Sequence, residues 1–131
     1  MEQHSYEVII TGGGAAGCMA AVTAAKRGRE VLLIEKNRQI GRKLMITGKG
    51  RCNVTNNCSC EEVMRNIPCN PKFMFSSLCK FSPLDVMDFF ENAGLPLKIE
   101  RGNRVFPQSD DAKDVAAVFE KEMKKYGVHI L

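Results

Sequence analysis

The chain has little of what marks a membrane, secreted or metal-binding protein. Its 131 residues include only two histidines, His4 and His129, and no Cys-x-x-Cys pair, so we expect no metal site. No stretch approaches the apolar length that spans a bilayer, and the first five residues carry no basic region of the kind that begins a signal peptide. We therefore expect a cytoplasmic protein that does not engage a membrane.

Runs of proline, glycine or serine are also scarce, so the composition indicates a single domain without a linker, a repeat or a disordered segment. Six cysteines are present, but they are scattered through a pattern of strands and helices that can build its own core. We expect reduced thiols rather than a disulfide framework. Cys52, Cys58 and Cys60 come closest to a metal cluster, and neither histidine is near them in the sequence.

A glycine turn near the start of the chain is the most informative motif. An apolar strand runs into the pattern Gly-x-Gly-x-x-Gly at Gly12, Gly14 and Gly17. Gly12 permits a sharp turn, Gly14 lets a diphosphate approach the backbone, and Gly17 allows the helix to pack closely on the strand. The free backbone N–H groups of Ala15 and Ala16 then bind the negative charge, because they lie in the first turn of a helix.

The residues that follow predict a strand–helix–strand unit that binds a dinucleotide. The helix runs to about Arg27 and ends at Gly28. A second buried strand, Val31–Ile34, follows directly. Glu35 lies 18 positions after Gly17, at the end of this strand, where a carboxylate accepts hydrogen bonds from both ribose hydroxyls of a dinucleotide. An ordinary strand–helix–strand unit with a solvated glutamate is the alternative.

All of the excess positive charge lies in one segment after Glu35. Residues 38–51 include five basic residues and no acid, and the rest of the chain holds 14 basic and 15 acidic residues. Glycines and apolar residues alternate with these charges, which favours a loop folded over an anion, either a cofactor diphosphate or a nucleic-acid backbone. A glycine-rich surface connection is the alternative. The basic residues are Arg38, Arg42, Lys43, Lys49 and Arg51.

After this segment the sequence predicts an insertion of short helices and a hairpin, and then a return to the sheet. Phe89 and Phe90 are interpreted as core residues. The predicted elements are a helix capped by Ser59 and Glu62 that stops before Pro68, an apolar turn over residues 73–79, a helix from Ser82 to Gly94, a hairpin of residues 97–100 and 104–106, a helix of about 14 residues that is capped by Ser109 or Asp110 and reaches Tyr126, and a buried strand over residues 128–131.

These elements predict an α/β fold, a Rossmann-like domain with a partial parallel sheet and a βαβ core that carries a helical and hairpin insertion. Right-handed crossovers place the second strand between the first and the third. One side of the first strand has no partner, although parallel sheets are normally covered. We therefore expect residues 1–131 to be the N-terminal part of a dinucleotide-binding domain, without the later strands and the substrate domain.

Two segments resemble a known family. The glycine turn and Glu35 are followed by residues 41–44 and 47–56, and this arrangement resembles the BaiN/HI-type family of NAD(P)/FAD-dependent oxidoreductases, flavoproteins of the glutathione-reductase-like class. Residues 102–109 are similar to a second stretch of that family. The run Gly-Lys-Gly-Arg-Cys-Asn at residues 48–53 is far more specific than the glycine turn, and the resemblance covers essentially the whole chain.

The resemblance implies that FAD is the cofactor and NAD(P)H the electron donor. It places the diphosphate on the glycine turn, the adenosine ribose at Glu35 and the adenine beside Lys36. The basic segment would then hold the middle and the flavin end of the cofactor. The predicted cofactor-binding residues are Gly12, Gly14, Ala15, Ala16, Gly17, Glu35, Lys36, Arg42, Lys43, Thr47, Gly48 and Asn53.

The implied reaction is reduction of an electron-poor carbon–carbon double bond in a small-molecule substrate. Uracil reduction in ribosomal RNA (a dihydrouridine synthase), amine oxidation and an inactive nucleotide-binding fragment are the alternatives, and fold alone does not choose among them. Under the RNA alternative, the RNA surface would lie in the part of the family members that these residues do not include. No catalytic residue is predicted, since Cys52 is better interpreted as a small packing residue near the flavin than as a reactive thiol.

Overall fold

A parallel three-stranded sheet forms the base of the fold. The structure is a computed structural model that describes residues 4–131. Strand β1 (Val8–Thr11) pairs with β2 (Val31–Ile34), and β2 pairs on its other side with β6 (His129–Ile130). The order β1-β2-β6 confirms the predicted neighbours and the α/β fold class.

Two helices pack together beside this sheet. Helix α1 (Ala15–Lys26) ends at Arg27, and Gly28 follows in the left-handed region at φ +76°, as the sequence predicts. Helix α5 (Ala112–Lys125) begins one residue later than expected. Asp111 is its N-cap and accepts a hydrogen bond from Lys113 N at 2.9 Å. The predicted caps Ser109 and Asp110 are therefore wrong, because the carboxylate of Asp110 binds Lys98 and Arg51 instead.

A second, antiparallel sheet is formed by residues in the connection from β2 to α5. The predicted hairpin is confirmed, and a third strand that the sequence did not reveal joins it to give the order β3-β5-β4. Strand β3 is only two residues long, too short to show an alternating pattern. The elements of this insertion are a 3₁₀ segment Leu44–Gly50, β3 (Thr55–Asn56), α2 (Cys60–Arg65), a 3₁₀ turn Pro71–Met74, α3 (Phe75–Lys80), α4 (Pro83–Asn92), β4 (Leu97–Glu100) and β5 (Arg104–Pro107).

Capping residues fix the ends of the inserted helices. Ser59 Oγ accepts from Glu62 N at 3.2 Å at the start of α2, and this helix ends before Pro68. At the start of α4, Ser82 and Asp85 form a reciprocal capping box. Helix α4 is followed by a glycine at φ +94°, so its predicted end is also confirmed.

The core lies where α1, α4 and α5 meet the helix-covered face of the sheet. Cys18 on α1, Leu33 on β2 and Met123 on α5 are fully buried. Phe90 packs edge-to-face on Phe119, with ring centroids 5.4 Å apart, as expected for a core aromatic. All six cysteines are free. Among residues 4–131 no helix has the length and apolarity needed to cross a membrane, and no cluster of three or more metal-ligating side chains occurs.

The opposite face of the parallel sheet is uncovered in the described chain. Ile9 on β1 is 60% exposed, and Ile34 on β2 is 37% exposed. Strand β6 is exposed as well, because His129, Ile130 and Leu131 all face solvent. The expectation of a buried third strand is therefore wrong, because residues 129–131 are exposed.

Candidate functional site

The glycine turn between β1 and α1 has the close backbone approach that the motif predicts. Gly12 lies at φ +97°, a conformation that L residues rarely adopt. A Cβ atom on Gly17 would lie 1.9 Å from the carbonyl oxygen of Gly12. Only glycine fits at residue 17, because any side chain would force the helix away from the strand.

The start of α1 has backbone N–H groups that no side chain of the described residues caps. Gly14 is the N-cap residue. The first turn also contains no acid, and Gly14, Ala15 and Ala16 are exposed. A Cβ built on Gly14 would meet no atom within 4 Å. The helix N-terminus is therefore open and positive, which suits a diphosphate.

Glu35 joins the end of β2 to this turn. Its Oε2 accepts from Gly13 N at 2.6 Å, and its Oε1 accepts from the backbone N of Asn37 at 2.8 Å and from Asn37 Nδ2 at 2.6 Å. The hydrogen bonds from Asn37 and Gly13 lower the pKa of the Glu35 carboxyl below its usual value. The carboxylate is therefore ionised and fixed beside the glycine turn.

Backbone hydrogen bonds to the neighbouring strand also hold Glu35 in place. Glu35 N donates to Leu131 O at 2.8 Å, and Leu131 N donates to Leu33 O at 2.9 Å. Across the sheet, Gly12 N donates to Ile34 O at 2.7 Å. The two loops that form the site thus leave the same edge of a continuous parallel ladder.

The basic segment begins directly against the glycine turn. Gly41 N donates to Gly13 O at 2.7 Å, and Ile40 is buried at 5% exposure beside the same glycine. Arg42 Nη1 donates to Asn37 Oδ1 at 3.3 Å, next to the carboxylate of Glu35. Lys36 and Lys43, two further predicted cofactor residues, are exposed on this side of the site.

The second half of the segment folds back as a tight turn against the hairpin. Thr47 O accepts from Cys52 N at 3.1 Å, and Thr47 Oγ1 donates to Leu44 O at 3.0 Å. Gly48 lies at φ +56°, and a Cβ there would lie 2.7 Å from the Phe106 ring. Close packing on a buried aromatic ring therefore requires glycine at residue 48.

Asn53 and Cys52 have different roles at the end of this turn. With its amide oriented to satisfy its neighbours, the Asn53 side chain donates to Val105 O at 3.2 Å and to Thr55 O at 3.0 Å, while the residue stays exposed. Cys52 is fully buried, and burial raises the pKa of its thiol. These facts agree with the interpretation of Cys52 as a packing residue, because a buried neutral thiol is a poor nucleophile.

One basic residue departs from the expectation of a loop folded over an anion. Arg51 Nη1 lies 2.8 Å from Glu100 Oε1 and 3.2 Å from Asp110 Oδ1. Its guanidinium carbon lies 4.1 Å from the centre of the Phe106 ring. The positive charge of Arg51 is thus directed at these two carboxylates, and Arg51 is not among the predicted cofactor-binding residues.

A largely apolar cleft of about 810 Å³ runs along α1, from Ala15 at its start to Arg27 at its end. Ala15 and Ala16 line one end of the cleft, and Cys52 and Val54 from the turn line another part. Its volume lies within the range of pockets that hold small molecules and cofactors, roughly 300–1,000 Å³. The cleft gives the open helix N-terminus an adjoining space for an extended ligand.

The structure brings the glycine turn, Glu35 and the start of the basic segment together. Gly48 and Asn53 lie instead against Phe106 and Val105 of the hairpin. The structure also shows polar groups that the sequence reasoning missed. Asn37 binds Glu35 from two positions away, and a polar residue just after a strand end is a weak signal for such a turn. The contacts of Glu100 and Asp110 with Arg51 could not be predicted, because these residues lie 49 and 59 positions from Arg51 in the sequence.

Comparison with known proteins is consistent with this geometry. Two curated relatives are 3-dehydro-bile acid delta(4,6)-reductase of Clostridium scindens, 35% identical over 123 residues (92% of this chain and 29% of the relative), and ribosomal RNA dihydrouridine synthase of Escherichia coli, 32% identical over 123 residues (94% and 30%). The chain thus spans about 30% of the length of these relatives.

Solved structures show the same fold at low sequence identity. The 3-ketosteroid-delta4-(5alpha)-dehydrogenase of Rhodococcus jostii superposes with a TM-score of 0.71 over 100% of this chain and 38% of that one, at 15% identity.

Residues 6–131 match the family described as "HI0933-like protein Rossmann domain". The chain therefore belongs to the HI0933-like family of FAD-binding oxidoreductases, through its Rossmann domain.

Proposed function

We propose that this domain holds FAD in an oxidoreductase that takes a hydride from NAD(P)H and reduces an electron-poor carbon–carbon double bond of a small molecule. One observation carries the proposal. The ionised carboxylate of Glu35 lies 2.6 Å from Gly13 N, inside the turn whose helix end is open to a diphosphate. A ribose and the adjacent diphosphate of one dinucleotide fit these two groups together.

The residues present fit FAD along the whole proposed path. The glycine turn, Ala15 and Ala16 would bind the diphosphate through backbone N–H groups, and Glu35 would accept from the ribose hydroxyls. Lys36 would lie beside the adenine. Arg42, Lys43, Thr47, Gly48 and Asn53 would hold the middle and the flavin end. When bound, FAD supplies hydride acceptance and donation, while these residues bind and orient it.

The substrate class rests on similarity and on chemistry. The bile acid relative is named as a delta(4,6)-reductase, and the chain is 35% identical to it over 123 residues. No Cys-x-x-x-x-Cys pair follows Glu35, which argues against a disulfide relay and favours direct transfer between flavin and substrate. The reaction is proposed for the protein that carries this domain, together with whatever segment holds the substrate.

Anaerobic stopped-flow spectroscopy of the protein loaded with FAD tests this proposal. We expect NADH or NADPH to bleach the flavin absorbance, and an unsaturated acceptor such as an enone to restore it. Bleaching by an amine with no response to either nicotinamide would support an amine oxidase instead. A protein that binds ADP but shows no affinity for FAD would support a nucleotide-binding domain without flavin chemistry.

Reduction of uridine in ribosomal RNA is a second candidate, and one surface favours it. Residues 63–84 contain three basic residues and no acid. Within this stretch Phe73 is 85% exposed and Phe75 is 58% exposed, next to Lys72. Exposed aromatic rings beside lysines suit stacking on unpaired bases. Reoxidation of the reduced protein by a uridine-containing RNA, faster than by an enone, would support this candidate over the first.

A further inference from the structure

The side chain of Arg51 joins the basic segment to the hairpin at several points. Nη1 donates to Glu100 Oε1 at 2.8 Å and to Asp110 Oδ1 at 3.2 Å, and Nε donates to Gly48 O at 3.4 Å. The guanidinium also stacks 4.1 Å from the centre of the buried Phe106 ring. A planar guanidinium makes such combined contacts better than an ammonium group, because it offers several donors in a fixed plane.

The charge of Arg51 is already compensated within the protein. Lys98 Nζ lies 2.5 Å from Asp110 Oδ2 and 3.5 Å from Glu100 Oε1, so two cations and two carboxylates form a closed group. A cofactor phosphate would have to compete with both carboxylates for the guanidinium. This arrangement favours a role for Arg51 inside the protein over a direct contact with an anion.

The turn at residues 47–53, which contains Arg51, has an unusual backbone conformation. Gly48, Lys49, Gly50 and Cys52 all have positive φ angles, between +56° and +86°. Residues other than glycine rarely adopt this region, because the Cβ atom then lies too close to the following carbonyl oxygen. Such a conformation persists only when the surroundings impose it. Arg51 lies in the middle of the turn and supplies contacts to the hairpin.

We propose that Arg51 is a positioning residue that holds the turn Thr47–Asn53 in the conformation that meets the flavin end of FAD, by binding Glu100 and Asp110 of the hairpin region. This inference rests on the proposed function, because it requires that FAD is the ligand. ADP shares the diphosphate and adenosine of FAD but lacks the flavin. The two ligands therefore separate the turn from the glycine motif.

The first experiment compares the affinities of Arg51→Ala and wild-type protein for FAD and for ADP by fluorescence and calorimetric titration. We expect the Kd for FAD to rise about tenfold, and the Kd for ADP to stay within about twofold. Arg51→Lys should recover part of the FAD affinity, since it keeps the charge but loses the planar contacts. Arg101→Ala, which removes an exposed charge from the hairpin turn, is the matched control and should change neither Kd.

The second experiment uses Glu100→Gln, because the two possible roles of Arg51 predict opposite signs. If Arg51 binds a cofactor phosphate, removing a competing carboxylate frees the guanidinium and strengthens FAD binding. If Arg51 positions the turn, the same change weakens FAD binding. We expect weaker FAD binding with unchanged ADP binding, together with a shift of the visible absorption bands of bound flavin.

The outcomes separate this inference from the proposed function. Wild-type protein that binds ADP but not FAD overturns both. Wild-type protein that binds FAD supports the proposed function, and the inference then fails in any of three cases: unchanged FAD affinity in Arg51→Ala, equal losses for ADP and FAD, or tighter FAD binding in Glu100→Gln. The equal losses would indicate a purely structural arginine.

Discussion

The glycine turn and the turn at residues 47–53 both contain proposed cofactor-binding residues but are held in different ways. The glycine turn is built from backbone contacts, with Gly17 packed on Gly12 and the Gly13 amide bound to Glu35. The second turn depends on side chains that reach it from the hairpin region, chiefly Glu100 and Asp110. In the proposed binding mode, the adenosine half of FAD would contact a turn held by its own backbone and by Glu35. The flavin half would contact a turn held by side chains that are distant in the sequence.

The largest effect is expected at the carboxylate that links the glycine turn to the ribose. Glu35→Ala should weaken FAD binding about a hundredfold or more, because two charge-assisted hydrogen bonds to ribose hydroxyls are lost. Titration of FAD fluorescence measures the change. Glu35→Gln keeps the shape of the side chain, so its affinity for FAD should lie between the affinities of wild-type protein and Glu35→Ala. Unchanged affinity in Glu35→Ala would remove Glu35 from the site.

Gly17→Ala tests whether the first turn is as closely packed as its geometry indicates. The new Cβ would lie 1.9 Å from Gly12 O, so we expect a loss of about 1–3 kcal/mol in the free energy of unfolding, or more, as the helix shifts. Urea denaturation measures it. Gly14→Ala is the matched control, since its Cβ meets no atom within 4 Å, and its stability should stay within about 0.5 kcal/mol of wild type.

A corresponding pair of substitutions tests the second turn. Gly48→Ala places a Cβ 2.7 Å from the Phe106 ring at a positive φ, whereas Gly50→Ala has a positive φ without a close contact. Both should lose about 1–2 kcal/mol from the backbone conformation, and Gly48→Ala should lose more because of the contact with Phe106. Equal unfolding free energies for the two variants would show that the ring moves freely.

The smallest expected effect is the contribution of the second turn to the pH dependence of the free energy of unfolding. Arg51 lowers the pKa of Glu100, and Lys98 followed by Arg51 lowers the pKa of Asp110. Carboxyls with depressed folded-state pKa values stabilise the fold above their unfolded values, near pH 4, and lose this contribution as the pH falls through the folded values. Stability should thus fall in acid.

Glu100→Gln and Asp110→Asn provide the control for this pH dependence. Each variant should show a shallower decline of the unfolding free energy between about pH 5 and pH 2 than wild-type protein. The residual decline should come from other carboxyls, including Glu35, whose pKa is also lowered. A variant with the same slope as wild type would show that the group of charges around Arg51 contributes no stability.

The contrast between the two turns also explains what the sequence could predict. Gly12, Gly17 and Gly28 act through their own backbone, so their positions predicted the first turn and the end of α1 correctly. The long-range contacts of Arg51 were not predictable, because they join separate parts of the chain without any local pattern. The N-cap of α5 was predicted wrongly for the same reason, since the carboxylate of Asp110 has distant partners.

The hydrogen bond from Glu35 N to Leu131 O connects the short, exposed strand β6 to the proposed ribose carboxylate. Strand β6 has two residues, and its exposed neighbour Leu131 supports the backbone beneath the proposed ribose carboxylate. Fraying of this short strand would release that support without touching any residue of the site. Substitutions that weaken the pairing of β6 with β2 should therefore alter nucleotide affinity, and the exchange rate of the Glu35 amide proton would report the lost support.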